Sequence, residues 1–68
     1  MDDDRTRRIQ SLDAQIVLLQ REEKRLQFRI SATSADPVRN LQAKIDLKTV
    51  REMLRLAAEE VVRLRKPE

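Results

Sequence analysis

The sequence predicts an all-α protein, an antiparallel two-helix hairpin with coiled-coil-like packing. Three observations support this fold class. The 68 residues include no Gly and two Pro, and 40% of them are charged, which is a composition typical of long helices. Apolar residues recur at alternating steps of three and four in two separate stretches. A short segment of small and hydroxyl residues, followed by an Asp-Pro pair, separates the two stretches and predicts a turn.

The first helix is expected over residues 4–32. Its start is favoured by Asp2, Asp3 and Asp4, whose negative charges complement the positive end of a helix. Glu23 interrupts an otherwise apolar seam, and we expect its carboxylate to reach a cation of the second helix or to face an oligomer groove. The candidate cations are Lys44, Lys48 and Arg51. The seam residues are Ile9, Leu12, Ile16, Leu19, Leu26 and Ile30.

The second helix is expected over residues 37–65, after a turn at 33–36. Asp36 is the predicted N-cap and Pro37 the first helical residue, because Pro has a preset φ and needs no hydrogen-bond donor there. Pro67 should stop the helix. The whole chain, residues 1–68, is interpreted as one helical-hairpin domain.

The two apolar seams fit together when the chain folds back between residues 34 and 35. Leu12 then lies opposite Ala57, and Leu19 lies opposite Val50. Nearer the turn, Ile30 falls opposite Asn40. The residues expected to hold the hairpin are Leu12, Ile16, Leu19, Leu47, Val50, Leu54 and Val61.

A second set of apolar residues lies off these seams, and a two-helix hairpin cannot bury it. We expect a dimeric four-helix bundle, or docking on a larger protein partner, to cover this set. Four of its members, near the turn, are interpreted as one patch that is either the core of the hairpin tip or a docking face. An alternative architecture, a parallel two-stranded coiled coil of extended chains, is favoured by Ile at a and Leu at d positions. The predicted partner-binding residues are Val17, Phe28, Val38, Leu41, Ile45 and Leu56, of which Phe28, Val38, Leu41 and Ile45 form the patch.

Catalysis is not expected. Cys and His are absent, so the usual zinc sites cannot form, and no Gly-rich phosphate loop is present. The hydroxyls of Ser31, Thr33 and Ser34 have no evident base to activate them and are interpreted as turn residues. We therefore expect no enzyme activity, no cofactor, no metal site and no small-molecule substrate.

A basic cluster is predicted at the open end of the hairpin. The net charge of +3 is small and mixed, so nucleic-acid binding is permitted but not required. Two basic rows, Arg21, Lys24 and Arg25 on the first helix and Lys44, Lys48, Arg51 and Arg55 on the second, extend this alternative. The candidate phosphate contacts at the open end are Arg5, Arg7, Arg8, Arg63, Arg65 and Lys66.

One resemblance covers roughly half of the chain. It rests on Arg8, Ile9, Leu12, Asp13, Ile16, Val17, Leu19, Arg25, Leu26 and Ile30, followed by Asp36-Pro37-Val38-Arg39. These residues resemble the first helix of the all-helical chorismate mutases and the segment that follows its turn. The family's substrate-binding cations are replaced here by Thr6, Glu23 and Ser34, so the resemblance implies shared coiled-coil patterning and not mutase activity.

Two classes of small hairpin are also similar. The helical-hairpin co-chaperones of type III secretion needle subunits resemble this chain in length and in an Asp-Pro start of the second helix. The two-helix protein of the large ribosomal subunit resembles it in length and in the Leu26 to Arg29 segment. These resemblances imply the classes of function that such a hairpin serves.

The sequence thus predicts a small protein–protein interaction module, such as an adaptor, co-chaperone or assembly factor. An RNA- or DNA-associated hairpin, such as a small ribosome-associated protein, is the alternative. No membrane-spanning run or secretory signal is evident, so we expect a soluble, cytoplasmic protein whose partner is a second copy or a larger protein.

Overall fold

The computed structural model describes residues 3–66, and within them it contains two α-helices and no strand. Helix α1 is Asp3–Ala32 and helix α2 is Pro37–Arg65. They pack against each other in antiparallel fashion over principal extents of 53 × 16 × 12 Å. The all-α two-helix architecture is confirmed, and the chain folds back instead of continuing as one extended rod. Two of the sequence expectations, the charge of Asp2 and the stop at Pro67, lie outside the described residues.

The turn is built from local hydrogen bonds that end α1 and start α2. The N–H of Thr33 donates to the carbonyl of Arg29 over 2.9 Å, and the Thr33 hydroxyl donates to the same oxygen over 2.7 Å. Asp36 caps α2 as predicted, because its Oδ1 accepts from the N–H of Arg39 at 3.2 Å. Pro37 follows as the first helical residue. The turn therefore satisfies helix-end groups that would otherwise depend on water.

The core consists of two apolar clusters stacked along the hairpin. The cluster nearer the open end is formed by buried Leu12, Ala57 and Val61 with partly buried Ile16 and Leu64. The cluster nearer the turn is formed by buried Leu26, Leu47 and Val50 with partly buried Leu19, Ile30 and Leu54. All seven residues expected to hold the hairpin belong to one of these clusters, which confirms that part of the prediction.

Neither α1 nor α2 has an apolar stretch of the length and hydropathy needed to cross a bilayer, within residues 3–66.

Candidate functional site

Much of the apolar surface stays in contact with solvent. Within the described residues, the side chains predicted to bind a partner are all among the exposed large apolar ones, from Val17 at 46% to Val38 at 78%. The structure adds Leu18, Met53 and Val62 to this set. The exposed large apolar residues are Val17, Leu18, Phe28, Val38, Leu41, Ile45, Met53, Leu56 and Val62.

An open apolar groove runs between the two helices on one side of the hairpin. Its rims carry Leu18 from α1 and Met53 and Leu56 from α2, and its volume is about 470 Å³. Each of these three side chains is at least half exposed. The remaining lining residues are Arg8, Leu12, Gln15, Leu19, Ala57 and Glu60. We call this surface the groove.

The groove ends at an ion pair toward the open end of the hairpin. Arg8 Nη2 lies 3.0 Å from Glu60 Oε1, and Arg8 Nε donates to the same oxygen at 3.0 Å. The pair joins the two helices across the groove. Both side chains keep substantial exposure, at 52% and 36%, so the pair contributes little to stability by itself. The pair holds one positive and one negative side chain at the end of the apolar groove nearest the chain termini.

The predicted patch near the turn is not one surface. Phe28 lies two positions from Leu26 and from Ile30, which both face α2, and two positions correspond to about 200° around a helix. Leu41 is likewise two positions from the buried Ala43. Phe28 and Leu41 therefore point away from the hairpin in opposite directions. The grouping of Phe28 with the α2 residues was wrong, because residues at the same height need not share a side.

Five of the six partner-binding candidates consequently divide between two outer surfaces. Val17 and Phe28 lie on the outer side of α1, 11 positions apart, which returns them to nearly the same side of the helix. Val38, Leu41 and Ile45 form a short stripe on the outer side of α2 at steps of three and four. Of the six predicted residues, the structure brings only Leu56 into the groove.

Met53 is a groove residue that the sequence analysis missed. A signal for it existed, because Met53 follows Thr49 by four positions and precedes Leu56 by three. Polar Thr49 breaks the apolar pattern at that point, so the stripe does not stand out. Only the position of Leu18 across from Met53 reveals that the two helices contribute to the same surface.

Cationic side chains collect on a different side of α2. A shallow depression there is lined by Lys44, Leu47, Lys48, Arg51, Glu52 and Arg55. Arg51 Nε donates to Glu23 Oε2 at 3.1 Å, which confirms the expectation that Glu23 reaches a cation of the second helix. We call this surface the basic side.

Arg55 on the basic side is held by carboxylates of its own helix. It forms ion pairs with Glu52 and with Glu59, the latter at 3.3 Å. The pKa of the Arg55 guanidinium is raised above its ordinary value by the hydrogen bond to Glu52, and further by the charges of Glu52 and Glu59. Its charge is thus largely balanced within the helix surface.

The cations of the open end do not converge on one site. Arg8 pairs with Glu60 beside the groove, whereas Arg65 Nη2 lies 3.1 Å from Asp13 Oδ2. Asp13 is five positions from Arg8, about 140° around α1, so the two pairs occupy different sides of the hairpin. The other phosphate-contact candidates, Arg5, Arg7, Arg63 and Lys66, are exposed at this end.

Thr33 and Asp36 have structural partners at the turn. The Thr33 hydroxyl donates to the Arg29 carbonyl, and Asp36 accepts from the Arg39 N–H, as expected of turn and cap residues. Residues 3–66 contain no group of three or more acidic side chains arranged to hold a metal ion. The features of these residues that indicate a function are therefore the exposed apolar surfaces and the charged residues beside them.

Comparison of the chain with models of known protein families, with curated proteins and with solved structures gives no significant match.

Proposed function

We propose that this protein is a small, non-catalytic protein–protein interaction module that acts by presenting apolar helix surface to another protein chain. Adaptors, co-chaperones and assembly factors work in this way. The observation that carries the proposal is the groove, in which Leu18, Met53 and Leu56 are exposed together at the junction of two helices. Contiguous apolar surface bounded by charged residues is typical of protein-binding sites.

The energetics favour association. Fully burying one large aliphatic side chain contributes roughly 1.5–3 kcal/mol, so the half-exposed groove side chains retain unused stabilisation. Met53 and Leu56 are 51% and 52% exposed. A short chain without disulfides has a small core of its own, and a second chain supplies the missing burial. Burial of this apolar surface against a second chain thus stabilises the assembled state relative to the free hairpin.

Photo-crosslinking in the host cell tests this function. A photoreactive amino acid in place of Met53 should yield covalent adducts with protein, either a second copy or another chain. The matched control is the same amino acid in place of Lys44, which lies on the basic side, nine positions away and on the opposite side of α2. Protein adducts at position 53 and few at position 44 support the proposal. Adducts to nucleic acid at position 44, with none to protein at position 53, would contradict it.

The basic side favours a second candidate function, association with RNA or DNA. Lys44 and Lys48 have no carboxylate within ion-pair distance in the described part of the chain, and they line the same depression as Arg51 and Arg55. Phosphate contacts of this kind weaken steeply as salt rises. A salt titration of binding to a duplex RNA therefore separates this function from apolar docking, which rising salt does not weaken.

A further inference from the structure

We infer that the groove is covered by a second copy of this chain, related by a two-fold axis that runs parallel to the helices, so that both turns lie at the same end. The inference rests on the proposed function and names its partner. It is carried by the order of charged and apolar residues along the two rims of the groove. In this arrangement α1 of one copy lies over α2 of the other copy at the same height.

The α2 rim repeats with a period of seven. Asp46, Met53 and Glu60 are spaced seven residues apart, so they lie on one side of α2, with an acidic residue above and below the apolar one. Met53 and Glu60 both line the groove. Asp46 accepts from the side chain of Gln42 at 3.0 Å and has no ion pair within the described residues.

The α1 rim shows the complementary order. Ser11, Leu18 and Arg25 are again seven residues apart, and Leu18 lines the groove. Arg8, next to Ser11 in height, lies at the end of the groove. Arg25 has only a weak contact within its own helix, 3.8 Å from Glu22, and its side chain is 71% exposed. Arg8 is paired with Glu60 of its own hairpin, so Arg25 is the cation that the α1 rim offers to a partner.

The parallel axis matches these two rims. Because Leu18 and Met53 line the same groove, they lie at about the same height, and one step of seven residues takes them to Arg25 and Asp46. Laying α1 over the partner copy's α2 places Leu18 against Met53 and Arg25 against Asp46. An Arg25–Asp46 contact then lies beside the apolar centre in each half of a closed, isologous interface.

The alternative two-fold dimer, in which the two hairpins run antiparallel and their turns lie at opposite ends, is disfavoured by the same residues. A two-fold axis perpendicular to the helices lays each helix over its own copy. With Met53 at the axis, Asp46 of one copy lies over Glu60 of the other, and the contact occurs twice. Like charges placed together oppose this mode of association.

The size of the surface is adequate for a stable pair. The face of the hairpin measures 53 by 16 Å along its two larger extents. That area is of the order of the ~800 Å² per partner that standard protein interfaces bury. The depression on the basic side is lined by charged residues apart from the buried Leu47, so it offers a second copy no comparable apolar surface. The groove side is therefore the side that a second copy covers.

Sedimentation of the purified chain and of matched variants tests whether a second copy of the chain covers the groove. The wild-type chain should be dimeric, and Met53→Asp should raise the dimer dissociation constant roughly tenfold or more. Val62→Asp is the control, because Val62 is similarly exposed and nine positions away, on the opposite side of α2. Circular dichroism should show that both variants remain helical. A wild-type chain that stays a folded monomer up to millimolar concentration would overturn the inference and leave protein binding by another partner intact.

A charge exchange tests the predicted contact. Arg25→Asp and Asp46→Arg should each weaken the dimer, since each places like charges together twice. Mixing the two variants restores both contacts in a heterodimer, which should form in preference to either homodimer. Equal affinities for the mixed and unmixed pairs would show that Arg25 and Asp46 do not meet.

The position of the turns tests the axis. The chain lacks Cys, so Ser34→Cys places a single spin label at the turn of each copy. Double electron–electron resonance should give a distance between the two spin labels of the dimer that is well below the 53 Å length of the hairpin. A separation near that length would establish the antiparallel dimer and overturn the inference of a two-fold axis parallel to the helices.

Discussion

The side-chain amide of Asn40 donates a 2.9 Å hydrogen bond to the carbonyl oxygen of Ile30. The Ile30 carbonyl belongs to the last turn of α1, where carbonyl groups lack partners within the helix. Asn40 lies in the first turn of α2 and is only partly exposed. One hydrogen bond therefore satisfies a helix end and ties the two helices together next to the turn.

Removing this amide should destabilise the hairpin. Asn40→Ala leaves the Ile30 carbonyl without its partner, so we expect the free energy of unfolding to fall by about 1 kcal/mol. Urea unfolding followed by circular dichroism measures the change. Gln42→Ala is the control, because within residues 3–66 the Gln42 side chain bonds only Asp46 of its own helix, and its loss should change stability by a few tenths of a kcal/mol. Equal effects of the two substitutions would contradict the role given to Asn40.

Leu26 should be far more important to stability than Phe28, although Phe28 is the larger side chain. Leu26 is 2% exposed and Phe28 is 77% exposed. Leu26→Ala should lower the free energy of unfolding by about 2–5 kcal/mol, enough to unfold a small hairpin. Phe28→Ala should stay within about 0.5 kcal/mol of the wild type. Thermal unfolding of both variants distinguishes them, and a larger loss for Phe28→Ala would show that Phe28 is covered in the folded protein.

Glu23 occupies a seam position where an apolar residue would pack better. It lies between Leu19 and Leu26, and its side chain is 27% exposed while paired with Arg51. Because a partly exposed ion pair contributes little, Glu23→Leu should raise the free energy of unfolding by about 1 kcal/mol. Glu22→Leu, one position away from the seam, serves as the control and should have a small effect. A loss of stability in Glu23→Leu would mean that the Arg51 pair is worth more than the packing.

Asp36 should contribute to stability as a hydrogen-bond acceptor at the start of α2. Asp36→Ala removes the acceptor for the Arg39 N–H and should cost about 1 kcal/mol. Asp36→Asn keeps an acceptor oxygen and should retain most of that stability. Chemical denaturation of the pair measures the difference. If both variants lost the same stability, the charge of Asp36 and not its cap would be responsible.

The sequence predicts the hairpin well because both helices repeat their apolar residues every three or four positions. Leu12 packs with Ala57, and Leu19 packs in one cluster with Val50, as their positions along the chain indicate. The hydrogen bond from Asn40 to Ile30 was not predicted, since periodicity places the two residues opposite each other but does not orient an amide. Local sequence patterns thus predict how far along the hairpin each residue lies and which residue it faces. The side-chain rotamers are seen only in the structure.

The surface was harder to predict than the core. Phe28 and Leu41 have similar heights, yet the rotation of each helix sends them to opposite sides. Met53 escaped notice because three of its neighbours on the same side of α2 are polar, namely Thr49, Asp46 and Glu60. A surface shared by two helices depends on the rotation of both, which neither helix specifies by its own sequence.

Oxidation of Met53 in intact host cells tests the central claim most directly. Met53 is 51% exposed in the isolated hairpin, and an exposed thioether reacts readily with hydroxyl radicals. If another protein chain covers the groove in the working state, rapid radical labelling followed by mass spectrometry should find Met53 strongly protected relative to the urea-unfolded chain. Labelling of Met53 in cells as fast as in the unfolded chain would contradict the account.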